Sequence, residues 1–314
     1  MEIAVAIPAY NRADLLEVTL DSVLGQTLPP TEVFVYDDGS SDGTPAVLAR
    51  QPPLVRWQSG PNLGPGLARA AAIAGTTAPW IALCDSDDLW HPEHLAGLAA
   101  LHQRWPAVSL MFSNFETFGP GAGGTAPKFD TAPVGWWSRR IVERDGDACL
   151  LGEAPYPSLL SFQPIFPSTL LFRRAAYERV GGTRPEVSRW PSEDAHLTRR
   201  LLLVSTVACT WRSTCQIRRH AGNYSSLDLR NDEGRLRILE LLRHDPLLGV
   251  DAVAATEREI ARSVPLLFRG YFHAREYAAA ARLAAAHPAM SLGWRRAAAR
   301  LLGRGGAAVD SPIA

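Results

Sequence analysis

Long apolar runs are missing from this 314-residue chain: nothing in it approaches the roughly 18 uninterrupted apolar residues of a membrane-spanning helix. Cysteine is scarce. Cys84, Cys149, Cys209 and Cys215 form no CxxC pair and no zinc spacing, and four thiols in so long a chain do not make a disulfide framework, so a reducing compartment is expected. An excess of one charge is also absent. With 32 Lys and Arg against 32 Asp and Glu, the chain lacks the global basic field that gathers nucleic acid, and no nucleic-acid partner is expected. Neither GxSxG nor HExxH occurs, which leaves hydrolase chemistry of those kinds unsupported. The opening MEIAVAIPAYNR has no basic stretch before its apolar run, and Pro8 breaks that run. The expectation is a cytoplasmic protein that begins at its first strand.

What is there suits an α/β domain with an appendage. Forty-six per cent hydrophobic residues can fill a sizeable core, and 20% charged residues is ordinary for a soluble protein. The charge is unevenly placed: residues 1–110 hold twelve Asp and Glu but five Lys and Arg. An acidic half is a poor polyanion binder unless a cation mediates. Short apolar runs at 3–7, 32–36, 54–57 and 80–84 alternate with helical patterns near 14–24 and 64–74, and Pro92 suits the first turn of the next helix. Alternation of this kind predicts a parallel sheet with right-handed crossovers, whose ligands bind beyond the carboxyl ends of the strands. Polar clusters fall at those ends: 10–12, 37–42 and 85–88. From 119 to 168 the rhythm breaks into Gly, Pro and aromatic residues. A strand-like 168–172, a helix ending at Gly181–Gly182, a helix over 192–203 and a strand over 215–219 follow. Beyond 227 the pattern is helical throughout.

Asp85-Ser86-Asp87-Asp88 ends a buried strand, and three carboxylates in four residues repel unless solvent or a cation neutralises them. Mg²⁺ and Mn²⁺ are hard cations that take one or two carboxylates plus substrate phosphates. A solvated acidic loop before a helix is the alternative. The Asp37–Gly43 loop begins like a calcium loop, but its twelfth position is Ala49, which rejects an EF-hand. There Asp38 could accept from a nucleobase ring N–H, or the segment could be an ordinary turn. Gly64-Pro65-Gly66-Leu67-Ala68-Arg69 is a dinucleotide fingerprint with Arg69 in place of its last glycine, and Arg69 is better placed to hold Asp38 or a base. Ser192-Glu193-Asp194 reads either as a capped helix start or as a site where Asp194 removes a hydroxyl proton. His220 is either a metal ligand or a surface residue.

Read in order, AVAIPAYNRADLLEVTLDSVLGQT, EVFVYDDGSSDGT, NLGPGLARAAAIAG, WIALCDSDDLWHPEHL, STLLFRRAAYERVGG, SEDAHLTRRLL and IRRHAGNYS resemble family 2 glycosyltransferases of the GT-A fold. The resemblance spans roughly residues 3–226. It implies a mostly parallel, Rossmann-like central sheet flanked by helices, with a C-terminal helical appendage. Pro8, Ala9, Tyr10 and Arg12 would line the nucleotide pocket, Asp38 would read the base with Arg69 in support, and Asp85 with Ser86 would meet the ribose side. Asp87 and His220 would hold Mn²⁺ or Mg²⁺ on the diphosphate, with Asp88 assisting. Gly181, Gly182 and Glu193 match the loop at the donor and acceptor, and Asp194 matches the base. Ala195-His196 departs from the pair common among relatives.

The resemblance therefore implies inverting transfer from a nucleotide sugar, a UDP-sugar for preference, to a saccharide or lipid-linked hydroxyl. Residues 1–118 would form the nucleotide-binding half, 119–226 the acceptor and catalytic-base half, and 227–314 a helical region. Trp136 and Trp137 are candidates for stacking on acceptor sugar, although buried aromatics are commoner. In the tail, Trp294, Ala298, Leu301 and Leu302 share a helical face flanked by Arg295, Arg296, Arg300 and Arg304, which could lie on an anionic membrane at the cytoplasmic side or be an ordinary helix packed on the catalytic domain. A silent nucleotide-sugar-binding module and a metal-dependent nucleotidyltransferase are the alternatives.

Overall fold

The computed structural model describes residues 1–122, 126–152, 156–219 and 229–288. Strands β1 (Ile3–Ala9), β2 (Glu32–Asp37), β3 (Val55–Ser59) and β4 (Trp80–Leu83) form an all-parallel half-sheet in the order β3-β2-β1-β4. β1 is apolar along almost its whole length because both its faces are covered. Helix α1 (Leu16–Leu24) turns Leu16, Thr19, Leu20 and Val23 inward, the one-sided spacing of a helix packed on a sheet. Helices α2 (Thr44–Leu48) and α3 (Pro65–Ala74) complete the crossovers, and each has proline in its first turn, where no N–H partner is lost.

β1 has β2 on one side and β4 on the other, so chain direction switches at its carboxyl end. Crevices open at such points in parallel sheets. Residues 10–12, 37–42 and 85–88 converge there, as the acidic spacing predicts.

Past β5 (Leu89–Trp90) and α4 (His94–Arg104), the sheet becomes mixed. β6 (Leu110–Phe118) is a nine-residue strand that the sequence pattern did not announce; its first six residues are all buried, so no alternation marks it. The segment read as irregular over 119–168 contains an antiparallel hairpin, β7 (Ile141–Asp145) and β8 (Ala148–Leu151), turning at Gly146 with φ 56°. β9 (Leu170–Arg173) runs antiparallel to both β4 and β6, and α5 (Arg174–Arg179) follows it. After α6 (Glu193–Val204), β10 (Val207–Arg218) is longer than the expected 215–219. Its register shifts twice against β6, between Thr210 and Cys215, which breaks the period-two signal. Pro92 precedes the Glu93 cap of α4 instead of lying in its first turn.

The chain divides into two compact units, Met1–Tyr224 and Ser225–Ala314. The second contains α7 (Leu229–Leu242), α8 (Val250–His273) and α9 (Tyr277–Ala286). Among the described residues, no helix is long and apolar enough to cross a membrane. Trp294 and the arginines grouped with it lie outside the described residues.

Candidate active site

The β1 and β2 loops are stapled together by their own side chains. Asn11 sits in the left-handed region with φ 50°, which asparagine tolerates, and its Oδ1 accepts the Ser41 N–H at 2.9 Å. Asp42 accepts the Thr44 hydroxyl at 2.6 Å, the Thr44 N–H at 2.9 Å and the Ala13 N–H at 3.1 Å. Burial alone would raise its carboxyl, but these bonds outweigh it and hold Asp42 below the usual carboxylate range. Tyr10, 47% exposed, stands at the rim beside half-buried Pro8 and Arg12, while Ala9 is buried beneath them.

Asp37 turns inward, accepting from the Ser59 hydroxyl at 2.5 Å and the Ser40 N–H at 3.1 Å. Asp38 is also buried. Its two oxygens accept the Leu63 and Gly64 N–H groups at 2.6 and 3.0 Å, just ahead of α3. Burial pushes its carboxyl up, against the pull of those two donors and of Arg189. Arg69 is not the support expected for Asp38. It lies further along α3, where its side chain reaches the carboxyl end of β4 instead.

There the three carboxylates of 85–88 are turned to different partners, which answers their mutual repulsion. Asp85 Oδ1 accepts Arg69 Nη2 at 2.9 Å. Asp87 Oδ2 lies 3.6 Å from Arg12 Nε, bringing the first strand-end loop to the third. Asp88 accepts the Ser168 hydroxyl at 2.5 Å and the Arg218 N–H at 2.9 Å. Burial, then repulsion from Asp85 and Asp87, pushes Asp88 well above the ordinary range. Asp88 thus ties β10 and Ser168 to this loop, a structural post in place of the assisting metal role the motif suggested. Ser86 is buried between these acids. Arg218 also donates from Nε to the Asp87 carbonyl at 2.8 Å. His220, two residues on, lies outside the described residues.

The amino end of α6 closes the other side of the cleft. Ser192 adopts φ 61°, uncommon for a residue with a side chain, immediately before Glu193 and Asp194. Arg69 Nη1 donates to Glu193 Oε1 at 2.7 Å, so one buried guanidinium joins the β4 loop to α6. Burial pushes Glu193 up to about 7 against the pull of Arg69, with Asp194 adding to the rise. Asp194 keeps part of its surface open to solvent; burial again leads in raising it, with Arg69 opposing and Asp85 reinforcing. Gly181 and Gly182, with φ 68° and 65°, begin the loop that leads to these acids.

Two residues of that loop escaped sequence reasoning. Ser188 Oγ accepts the Leu67 N–H at 2.8 Å and donates to the Leu63 carbonyl at 2.9 Å, and its own carbonyl accepts the Gly66 N–H at 3.1 Å. Arg189 donates to the Asn62 carbonyl at 2.6 Å. The loop lies so close to α3 that a Cβ on Gly66 would fall 2.9 Å from the Ser188 Cα. These partners are about 120 residues apart in sequence, so no local pattern signals them.

The aromatic candidates sit elsewhere. Trp136 is 2% exposed, edge-on to Trp137 and Phe162, with its Nε1 donating to the Ser158 carbonyl at 3.3 Å. It offers no face to a saccharide. Trp137, half-buried, packs on Phe129 and Trp211 and donates to the Phe129 carbonyl at 3.0 Å. Both belong to a core that anchors the irregular segment.

Residues 4–150 match the model of glycosyl transferase family 2. The succinoglycan biosynthesis protein ExoO of Rhizobium meliloti is 42% identical over 96 residues, covering 30% of this chain and 28% of ExoO. Chondroitin synthase of Pasteurella multocida is 37% identical over 94 residues, 29% of this chain and 10% of that protein. The matched segments thus span less than a third of either relative. Solved structures extend the fold likeness beyond the family match. TarS of S. aureus, in a complex with UDP, has TM-score 0.59 at 17% identity over 84% of this chain and 71% of its own. A Pyrobaculum calidifontis mannosyltransferase in complex with GDP-Man and Mn²⁺ has TM-score 0.57 at 22% identity, covering 98% of this chain and 79% of that one. The chain has the GT-A fold, with a parallel first half and a mixed second half to its sheet.

Proposed function

We propose that the protein is an inverting glycosyltransferase that moves a sugar from a nucleoside-diphosphate donor, a UDP-sugar for preference, to a hydroxyl of a saccharide or lipid-linked acceptor. The observation that carries this reading is the Asp85–Arg69–Glu193 bridge, with ion-pair distances of 2.9 and 2.7 Å. It brings the strand-end acids and the amino end of α6 to one cleft, as a single displacement requires. In this reading 1–118 hold the nucleotide: Pro8, Ala9, Tyr10 and Arg12 line its pocket, Asp38 meets the base, and Asp85 and Ser86 meet the ribose. Residues 119–226 supply the acceptor side and the base.

The residues present fit a divalent cation. Asp87 offers a carboxylate oxygen at the end of β4, the kind of ligand that Mg²⁺ and Mn²⁺ take alongside substrate phosphates. Arg12, 3.6 Å from Asp87, marks a place where positive charge is already favoured. Asp87, with His220, would hold the cation, which would neutralise charge on the departing nucleoside diphosphate.

Asp194 takes the acceptor hydroxyl's proton as the new bond forms on the face opposite the leaving group. Its burial makes it a stronger base than an exposed aspartate. Gly181 and Gly182 allow backbone to approach donor and acceptor. The test is Asp194→Asn, assayed by UDP or GDP release from UDP-glucose, UDP-N-acetylglucosamine and GDP-mannose with Mn²⁺. Turnover should fall about 10²–10⁴-fold while donor binding by calorimetry persists. Wild-type turnover in the variant would remove the base assignment.

A further inference from the structure

Arg69 is the buried cation of the cleft, and its contacts give it a different task from reading a nucleotide. Its two terminal nitrogens are committed to carboxylates on separate elements, Nη1 to Glu193 and Nη2 to Asp85, at hydrogen-bonding distance in both cases. Such a two-carboxylate fork needs the planar guanidinium; an ammonium is a point charge that cannot span both acids in the same geometry. Its Nε is buried with no hydrogen-bond partner, so the side chain is held by its two ion pairs rather than by a full donor set. Gly66, one turn earlier on α3, places backbone so close that a Cβ there would lie 3.1 Å from Glu193 Oε2. The helix and the acids therefore meet without intervening side-chain bulk.

We propose that Arg69 is a positioning residue: by bridging Asp85 and Glu193 it fixes the amino end of α6 against the donor side of the cleft and keeps the adjacent Asp194 ionised and available as base. This inference rests on the glycosyltransferase reading for its purpose, though not for its measurement. The charged groups acting on Asp194 are Arg69 from α3 and Asp85 from the β4 end, with Glu193 beside it on α6. Other elements packed on α6 are α5, which carries Arg174, Tyr177, Glu178 and Arg179, and the turn Tyr156–Leu160, which carries Tyr156. Arg69 alone among the groups named on α3 and the β4 end draws Asp194 toward its charged form, opposing both burial and Asp85. Loss of that cation leaves three acids, Asp85, Glu193 and Asp194, to share the cleft.

The test is a carboxyl-¹³C NMR titration of the full chain without ligand, with the Asp194 resonance assigned by D194N. In R69M the proton affinity of Asp194 should rise about tenfold or more, the size expected when a close opposite charge is removed. R69M leaves buried carboxylates unpaired, so R69M/E193Q, which removes both partners of the closest pair, is the variant designed to fold; because E193Q also removes a neighbouring negative charge, its rise is read against E193Q alone. R69K should keep Asp194 near its wild-type titration because the charge remains, yet lower nucleoside-diphosphate release because the fork is lost. A purely structural role would move thermal stability and leave the titration in place. Asp194 titrating no higher in R69M/E193Q than in E193Q alone overturns the inference. That outcome is distinct from failure of the base assignment, which D194N turnover decides.

Discussion

Gly66→Ala, set against Gly97→Ala, tests the close approach of the 185–190 loop to α3. Both glycines lie in helices, where alanine is favoured by up to about 1 kcal/mol, less near a helix start. Around Gly97 a Cβ would meet nothing within 4 Å, so G97A should gain about that amount, raising the melting temperature by roughly 2–4 °C for a unit of this size. At Gly66 the new methyl would lie 2.9 Å from the Ser188 Cα, a backbone atom that cannot rotate away. Overpacking of this kind costs about 1–3 kcal/mol, which exceeds or cancels the helix gain. G66A should therefore melt several degrees below G97A. Because Ser188 lies four residues before Ser192, the displaced loop should also disturb Glu193 and Asp194, so nucleoside-diphosphate release should drop in G66A and stay at wild-type level in G97A. Thermal unfolding and release assays on both proteins decide it. If G66A proves as stable and as active as G97A, the packing of loop on helix is wrong, and so is the shared cleft built on it.

Ser188→Ala should cost about 1–3 kcal/mol, since the Leu67 N–H and Leu63 carbonyl both lose their partner; chemical denaturation measures this. Asp42→Ala removes the staple between two loops. Asp42 is exposed, so its loss should cost at most about 1 kcal/mol at pH 7. Its folded carboxyl is held below its unfolded value, so this stability is present above about pH 4 and vanishes as pH falls through the folded value; the melting gap between D42A and wild type should close in acid. Trp136→Ala should destabilise by about 3–5 kcal/mol as a core truncation, seen in denaturant melts. In soluble W136A, an acceptor-specific change in KM at unchanged stability would contradict its burial.

Much of the parallel half was legible because its signals are local. Continuous apolar runs such as Ile3–Ile7 mark strands covered on both faces, and the acidic turns after them mark the rim where β1 switches neighbours. The second half resisted for the same physical reason in reverse. β6 is buried on both faces over its first six residues, and β10 is interrupted by register shifts, so neither shows a clean period. The hairpin β7–β8 was hidden by its charged and exposed strand, Ile141–Asp145. At the site, residue types were readable but partnerships were not. Asp42 and Asp88 carry the same carboxylate as Asp87, yet hydrogen bonds from Thr44, Ala13, Ser168 and Arg218 make them ties between loops. Trp136 and Trp137 looked like sugar platforms because aromatic composition says nothing about which face is covered.

The cleft gathers five acids, Asp85, Asp87, Asp88, Glu193 and Asp194, and its stability depends on giving them unlike surroundings. Asp88 is buried and drawn toward its neutral form, which reduces the charge crowded at the β4 end. Asp85 and Glu193 share one guanidinium, so two negative charges are answered by one buried cation. Asp87 faces Arg12 across a longer 3.6 Å gap at the strand-end rim, and Asp194 stays partly open beyond Arg69. Each departure from equivalence assigns a different role to the same functional group. A donor diphosphate entering at the rim would meet Arg12 first, and the attraction of that guanidinium for phosphate would compete with its hold on Asp87. In the proposed reading, donor arrival and exposure of the Asp87 carboxylate would thus be coupled by one side chain. R12M should weaken donor binding measured by calorimetry by about tenfold, the loss of one charge-assisted contact. Unchanged affinity would place the diphosphate elsewhere than beside Asp87.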